Sequence, residues 1–172
     1  MGQGILVHIG SCLTHEQLER QNKALHLEGV QHILYYETIY DALAALEELP
    51  AEDKKSICGF FLEDPEFAIL SPSPDGDTRI RELFGENHTA LPKQGEARAI
   101  FLAGRIKKAF GVGNAPPIIL GTNADSVADQ PQPNIDRCVL LGSSPLSSDS
   151  NWVKGLLQVF DKVNRERQGQ RA

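Results

Sequence analysis

The segment Pro116-Pro-Ile-Ile-Leu-Gly-Thr-Asn-Ala-Asp125 decides the fold class of this chain. Two prolines hold its start in extended backbone, because the proline ring fixes φ and keeps the preceding residue out of the helical region. Three consecutive apolar residues follow, a pattern typical of a strand buried on both faces of a parallel sheet. Small and hydrogen-bonding residues then run from Gly121 to Asp125. We therefore expect a site at the carboxyl end of this strand, where open α/β sheets bind their ligands.

Length and composition limit the class of protein. The 172 residues, of which 41% are hydrophobic and 23% charged, are typical of one soluble globular domain. A net charge of −6 argues against direct binding of nucleic acid. No apolar run approaches the ~20 residues of a membrane helix, and the start lacks the features of a secretory signal. Three cysteines are widely spaced, and Cys58 and Cys138 lie in apolar strand-like runs where we expect reduced core thiols, so we expect a cytoplasmic protein.

Apolar runs alternate with helical patterns along the chain. Thr14 and Gln17 form a capping-box pattern at the start of the first predicted helix. Five strands that alternate with helices and are joined by right-handed crossovers predict a doubly wound, five-stranded parallel sheet in the order 2-1-3-4-5. The strands are predicted at 4–10, within 30–37, at 57–62, within 116–125 and at 137–142, and the main helices at 14–27, 40–49, 96–110 and from 149 or 150 to 164.

Three segments interrupt this alternation. Residues 66–94 are punctuated by prolines and are predicted to form an inserted loop with one short helix. Residues 126–136 carry two prolines and are expected to hold only a brief helix. Residues 165–172 are predicted to be a charged tail or linker that follows a domain of residues 1–164.

With this organisation, the chain resembles the receiver domain of two-component response regulators over residues 4–164, without the insertion. The segment 117–124 is similar to the receiver strand that carries the switch hydroxyl, and the resemblance assigns that hydroxyl to Thr122. Ser144-Pro145 is similar to the receiver's Lys-Pro, and Glu63-Asp64-Pro65 lies near the phosphoacceptor end of the third strand. The resemblance implies a flavodoxin-like fold and a regulatory role in signalling.

The sequence departs from receivers at the positions that perform phosphoryl chemistry. Ile9-Gly10-Ser11 stands where receivers place two Mg²⁺-binding acids, and Ser143 or Ser144 replaces their lysine. Mg²⁺ and the lysine ammonium group offset negative charge during phosphoryl transfer. Because the residues that supply both are replaced here, the departure implies a non-catalytic pseudo-receiver without metal or cofactor. Its expected partner is a protein: a kinase, an effector domain or a second copy in a homodimer.

Two other functions stay open. A phosphorylatable receiver would use Asp64 as its acceptor, whereas a small flavodoxin-like nucleotide-binding protein or enzyme would use Thr122, Asn123 and Asp125. The acidic cluster after the third strand also has two interpretations. Either Asp64 begins a solvated turn, or Glu63 imitates a phosphorylated aspartate by its charge.

A metal site and a reactive cysteine are weaker candidates near the first strand. His8, Cys12 and His15 are spaced like metal ligands, but a closed zinc site takes four ligands, so a packed His8 is the favoured interpretation. Cys12 lacks the arginine six positions later that a phosphatase loop needs, and we expect it to be inert.

The predicted interaction surface lies beside the fourth and fifth strands. Because the segment 126–136 has few apolar residues, we expect it to cover the sheet poorly and to leave Val127 and Ile135 open to a partner. Trp152, in the first turn of the last helix, either bridges core and partner or closes the end of the core.

Overall fold

The computed structural model describes residues 4–10, 14–36, 39–63, 95–111, 113–122, 131–140 and 150–171. Side chains at 39, 40, 63, 95–98, 150–152 and 171 fall outside that description. The strands of the described residues are β1 (Ile5–Ile9), β2 (His32–Tyr36), β3 (Ile57–Glu63), β4 (Ile118–Thr122) and β5 (Arg137–Leu140). Their helices are α1 (His15–Leu27), α2 (Ile39–Glu48), α3 (Ala51–Ser56), α4 (Gly95–Phe110) and α5 (Ser150–Arg171).

The five strands form one parallel sheet in the order β2-β1-β3-β4-β5. The predicted fold class, an α/β sheet with this strand order, is therefore confirmed. β4 lies inside the sheet and is buried along its whole length, as its unbroken apolar run predicts. The carboxyl ends of all five strands consequently meet at one edge of the sheet.

Helices cover both faces of the sheet. On one face, α2 and α4 pack against the strands through Leu46, Leu102 and Ile106. On the opposite face, α1 and α5 pack through Leu25 and Phe160. These four helices each turn one apolar stripe to the sheet, which is why helical spacing of apolar residues predicted them.

The start of α1 shows how the local sequence sets an element boundary. Thr14 Oγ1 accepts a hydrogen bond from the Gln17 backbone N–H at 3.2 Å, and Gln17 Oε1 accepts one from the Thr14 backbone N–H at 2.8 Å. This reciprocal pair is the predicted capping box. The chain leaves the helix through Gly29, whose φ of 92° favours glycine.

An irregularity in the pairing of β1 with β3 lies beside Gly59, the residue of β3 against which α5 packs. Ile5 of β1 pairs with Ile57, but the next residue, Leu6, pairs with Gly59, so Cys58 is an extra residue in β3. A Cβ at Gly59 would lie 2.4 Å from Cε1 of Phe160, whose side chain is fully buried. The absent side chain of Gly59 therefore makes the space in which the Phe160 ring packs.

Two elements differ from the sequence-based expectation. α2 ends at Glu48, one residue before the predicted end, and Pro50 precedes the short helix α3, which was not predicted. Acidic residues in its first turn and lysines in its last turn complement the helix dipole and explain why α3 forms. The last helix was predicted to end at residue 164, but α5 continues to Arg171, so the residues predicted to be a charged tail or linker are helical as far as Arg171.

Interactions with the preceding strands explain the extension of α5. Arg167 forms a bidentate ion pair with Asp136, and Arg137 pairs with Glu166 at 2.8 Å. The predicted insertion at 66–94 lies entirely outside the described residues. The description ends at residue 63 in β3 and resumes at residue 95 in α4. Among the helices that are described, none has the length and apolar character needed to cross a membrane.

Candidate functional site

The carboxyl edge of the sheet brings two predicted site residues together. Glu63 at the end of β3 is in register with Gly121, so Thr122 follows one position later on the neighbouring strand. Thr122 is buried, with 6% of its surface exposed. The register therefore places Thr122 one residue beyond the level of Glu63 on the neighbouring strand.

The strand on the other side of β3 contributes no acid at this edge. Ile9 of β1 is in register with Leu62, so the next residue, Gly10, follows at the level of Glu63. Gly10 is held to β2 by a hydrogen bond from its N–H to the Tyr36 carbonyl oxygen at 3.1 Å. Within the described part of the chain, no three His, Cys, Asp or Glu residues are grouped closely enough to hold a metal ion.

Several predicted site residues lie outside the described structure. Trp152 belongs to the first turn of α5, but its side chain is not described. The other predicted site residues that lie outside the described structure are Cys12, Asp64, Asn123, Asp125, Val127, Ser143 and Ser144.

The prediction that Ile135 is open surface is wrong. Only 8% of its surface is exposed, and it packs in the core cluster that contains Leu102 and Leu120. A tight turn explains this burial, because the Ile135 N–H donates to the Gln132 carbonyl oxygen and Asn134 adopts a φ of 65°. A charge at Ile135 is therefore expected to disturb the core and does not report on partner binding.

The packed-histidine interpretation is confirmed for His8. Its ring is 1% exposed and lies 5.1 Å from the Tyr35 ring and 5.2 Å from the Phe61 ring, measured between centroids. His15, by contrast, is on the surface, where its Nε2 lies 3.2 Å from a carboxylate oxygen of Glu19. One histidine thus belongs to the core and the other to the solvated face of α1.

Two cysteines are free, partly buried thiols, as predicted. Burial raises the pKa of the Cys58 thiol, and burial also raises the pKa of the Cys138 thiol. A raised pKa lowers the thiolate fraction at neutral pH and with it the nucleophilicity of the sulfur. Neither residue is therefore suited to be an activated nucleophile.

A cleft that the sequence reasoning missed lies at the opposite, amino-terminal edge of the sheet. It has a volume of about 710 Å³ and lies between the start of β3, the 113–117 loop and one side of α5. The α5 side chains that line it recur at positions i, i+3, i+4 and i+7, which is a helical face. This polar face was a detectable signal in the sequence; its members are Asp161, Asn164, Arg165 and Gln168.

No family model matches this chain. No curated protein matches it either. Comparison with solved structures finds the lysine decarboxylase LdcF of Francisella novicida, which is 12% identical and gives a TM-score of 0.41. The superposition covers 92% of this chain and 17% of that chain, so the protein spans less than a fifth of the decarboxylase. The assignment of the fold class rests on the strand order and register.

Proposed function

We propose that this chain is a non-catalytic, receiver-like signalling module that acts in the cytoplasm by binding another protein. The observation that carries the proposal is the arrangement at the carboxyl edge of the sheet. Glu63 and Thr122 end adjacent strands there, while Gly10 directly follows β1. Thr122 supports the proposal as a candidate for a receiver's switch hydroxyl, and Gly10 supports it because a metal site at this edge would need a carboxylate.

A fixed charge at this edge replaces a transferable phosphoryl group in the proposal. Glu63 ends β3 beside the strand that carries Thr122. A carboxylate at that position presents negative charge permanently, so the module would not need a kinase to acquire it. Free thiols at Cys58 and Cys138 suit the reducing cytoplasm.

The surface that best supports protein binding is the outer edge of β5. β5 is at one end of the strand order, and no other described strand pairs with its outer edge. Leu140, the last residue of β5, is a large apolar side chain with 52% of its surface exposed. Unprotected strand edges pair readily with another chain, so the proposed partner for the test is a second copy of this protein.

Leu140→Lys is expected to shift the full chain toward monomer with its fold unchanged. A lysine on an edge strand opposes strand pairing, because its charge would have to be desolvated. Sedimentation equilibrium measures the association, and far-UV circular dichroism checks the fold. If Leu140 contributes a buried contact, the dissociation constant should rise about tenfold or more, which corresponds to about 1.4 kcal/mol.

Leu27→Lys is the matched control for this experiment. Leu27 is also a large exposed apolar residue, with 77% of its surface exposed, but it lies at the end of α1. The control variant should associate like the unmodified protein. A monomer at every concentration in the unmodified protein, or equal effects of the two lysines, would contradict binding through the β5 edge.

A further inference from the structure

The cleft at the amino-terminal edge is built from three separate parts of the fold. Pro116 and Pro117 form one wall, and their lack of N–H groups makes that wall mostly apolar. Cys58 lines the cleft at the start of β3, and its Sγ donates to the Ile5 carbonyl oxygen at 3.3 Å. The polar face of α5 completes the cleft opposite Asn114 of the loop. Cavities of this volume are in the range that small-molecule ligands occupy.

The walls of the cleft are held rigidly. Arg167 donates from Nη2 to both carboxylate oxygens of Asp136 at 2.7 Å, and from Nη1 to the Ala115 carbonyl oxygen at 2.6 Å. These bonds join α5 to the 113–117 loop and to the residue before β5. The charge of Arg167 is neutralised by this pair, so it contributes shape to the cleft more than it contributes charge.

Arg165 differs from Arg167 in its hydrogen bonding. Its Nε donates to the Asp161 carbonyl oxygen at 3.3 Å, while its two terminal amino groups have no partner within the part of the chain that the structure describes. A guanidinium presents paired donors that match the two oxygens of a carboxylate. The cleft therefore offers one uncommitted bidentate anion-binding group.

The remaining polar groups narrow the class of ligand. Asn114, Asn164 and Gln168 each carry a carboxamide, which both donates and accepts hydrogen bonds and so complements hydroxyl groups. Asp161 adds a negative charge one turn from Arg165. The carboxylate of Asp161 would repel a second negative charge on a ligand, which disfavours a phosphate dianion and favours a ligand with a single negative charge.

We propose that this cleft binds a small hydroxy-carboxylate, with the carboxylate on Arg165 and the hydroxyl groups on the carboxamides of Asn114, Asn164 and Gln168. The site lies at the edge of the sheet opposite Glu63 and Thr122 and does not depend on the function proposed for that edge. An open, polar site for a ligand of this size binds weakly, with a dissociation constant of about 1 mM.

Cys58 provides a reporter inside the cleft, and Cys138 provides an internal reference outside it. The full chain is treated with iodoacetamide at alkaline pH, and alkylation of each cysteine is followed by peptide mass spectrometry. The probe is gluconate. Sorbitol has the same carbon chain without the carboxylate, and sorbitol 6-phosphate carries a phosphate monoester and no carboxylate.

We expect about 20 mM gluconate to slow alkylation of Cys58 about twentyfold and to leave Cys138 unchanged, because mass action reduces the unoccupied fraction. Sorbitol and its phosphate should protect weakly or not at all. Arg165→Gln should abolish the protection by gluconate, whereas Lys162→Gln, a change on the exposed side of α5, should retain it. Circular dichroism verifies that both variants are folded.

Absence of protection by gluconate would overturn the proposal, as would protection that persists in the Arg165→Gln variant. Equal protection by gluconate and sorbitol would show that the carboxylate is not recognised and would also overturn it. Stronger protection by sorbitol 6-phosphate would reject the hydroxy-carboxylate assignment.

Discussion

Gly59→Ala is expected to lower the free energy of unfolding by about 2 to 3 kcal/mol, a large effect for one methyl group. The added Cβ would lie 2.4 Å from Cε1 and 2.8 Å from Cδ1 of Phe160. Phe160 is fully buried in the core between the sheet and α5, so its ring has no solvent-filled space into which it can move. Urea denaturation of the variant and the unmodified protein measures the difference.

Two other glycines supply the control for this prediction. Gly155 and Gly169 lie in α5, and a Cβ at either position would meet no atom within 4 Å. Alanine there should raise the free energy of unfolding by up to about 1 kcal/mol, because it reduces the freedom of the unfolded chain. A lower free energy of unfolding for Gly59→Ala, together with a higher one for alanine at 155 or 169, would separate a steric effect from a general effect of glycine replacement.

A smaller side chain at position 160 should rescue Gly59→Ala in part. Phe160→Leu alone removes buried ring atoms and is expected to destabilise the fold by about 1 to 2 kcal/mol. In the double variant the new methyl group can occupy part of the vacated space, so the two losses should not add. Strict additivity of the two losses, or a negligible effect of Gly59→Ala, would contradict the packing described for β3 and α5.

Arg167→Met should cost about 2 to 3 kcal/mol of stability. The substitution leaves the Asp136 carboxylate without its cation and removes the donor to the Ala115 carbonyl oxygen. Asp136 also accepts a hydrogen bond from the Ile118 backbone N–H at 2.8 Å, so its position affects the start of β4. The side chains of Asp136 and Arg167 are 15% and 26% exposed, so the expected loss of stability is smaller than that for a fully buried pair.

Arg137→Met is the matched control, because it breaks the neighbouring pair between β5 and α5. Arg137 and Glu166 are 2.8 Å apart, but their side chains are 43% and 44% exposed. Exposed ion pairs contribute little, so the loss should stay below about 1 kcal/mol. Denaturation curves of both variants test the comparison, and equal losses would show that the Asp136–Arg167 pair does not hold α5 in place.

The sequence predicted the fold because its strongest signals are local. The unbroken apolar run before Thr122 indicates a strand buried on both faces, and the Thr14 capping box marks a helix start. Burial of Ile135 was not predictable in the same way. It depends on the left-handed backbone of Asn134, whose side chain lies against Gly104 in α4, a contact between distant segments.

Charge content was misleading at the end of the chain. The segment after residue 164 reads as a solvated tail because most of its residues are charged or polar. In the structure, Arg167 meets Asp136, which precedes β5, and this pairing cannot be read from either segment alone. The cleft was missed for the same reason, since Cys58, the 113–117 loop and α5 meet only in the folded chain.

The candidate site at the carboxyl edge was predictable in place but not in detail. The position of the site follows from the strand topology, because the carboxyl ends of parallel strands meet at one edge of the sheet. The register of Glu63 with Gly121 agrees with that expectation. Chemistry depends on individual side chains. Gly10 at the end of β1 was visible in the sequence and remains the main argument against metal-assisted phosphoryl transfer at this edge.

The intact mass of the full chain after incubation with acetyl phosphate and Mg²⁺ tests the central claim most directly. A non-catalytic, receiver-like module should keep its unmodified mass, because Gly10 supplies no ligand for the cation that phosphoryl transfer requires. Asp64→Asn should then behave like the unmodified chain. An increase by the mass of one phosphoryl group that disappears in Asp64→Asn and persists in Asp53→Asn would contradict the account.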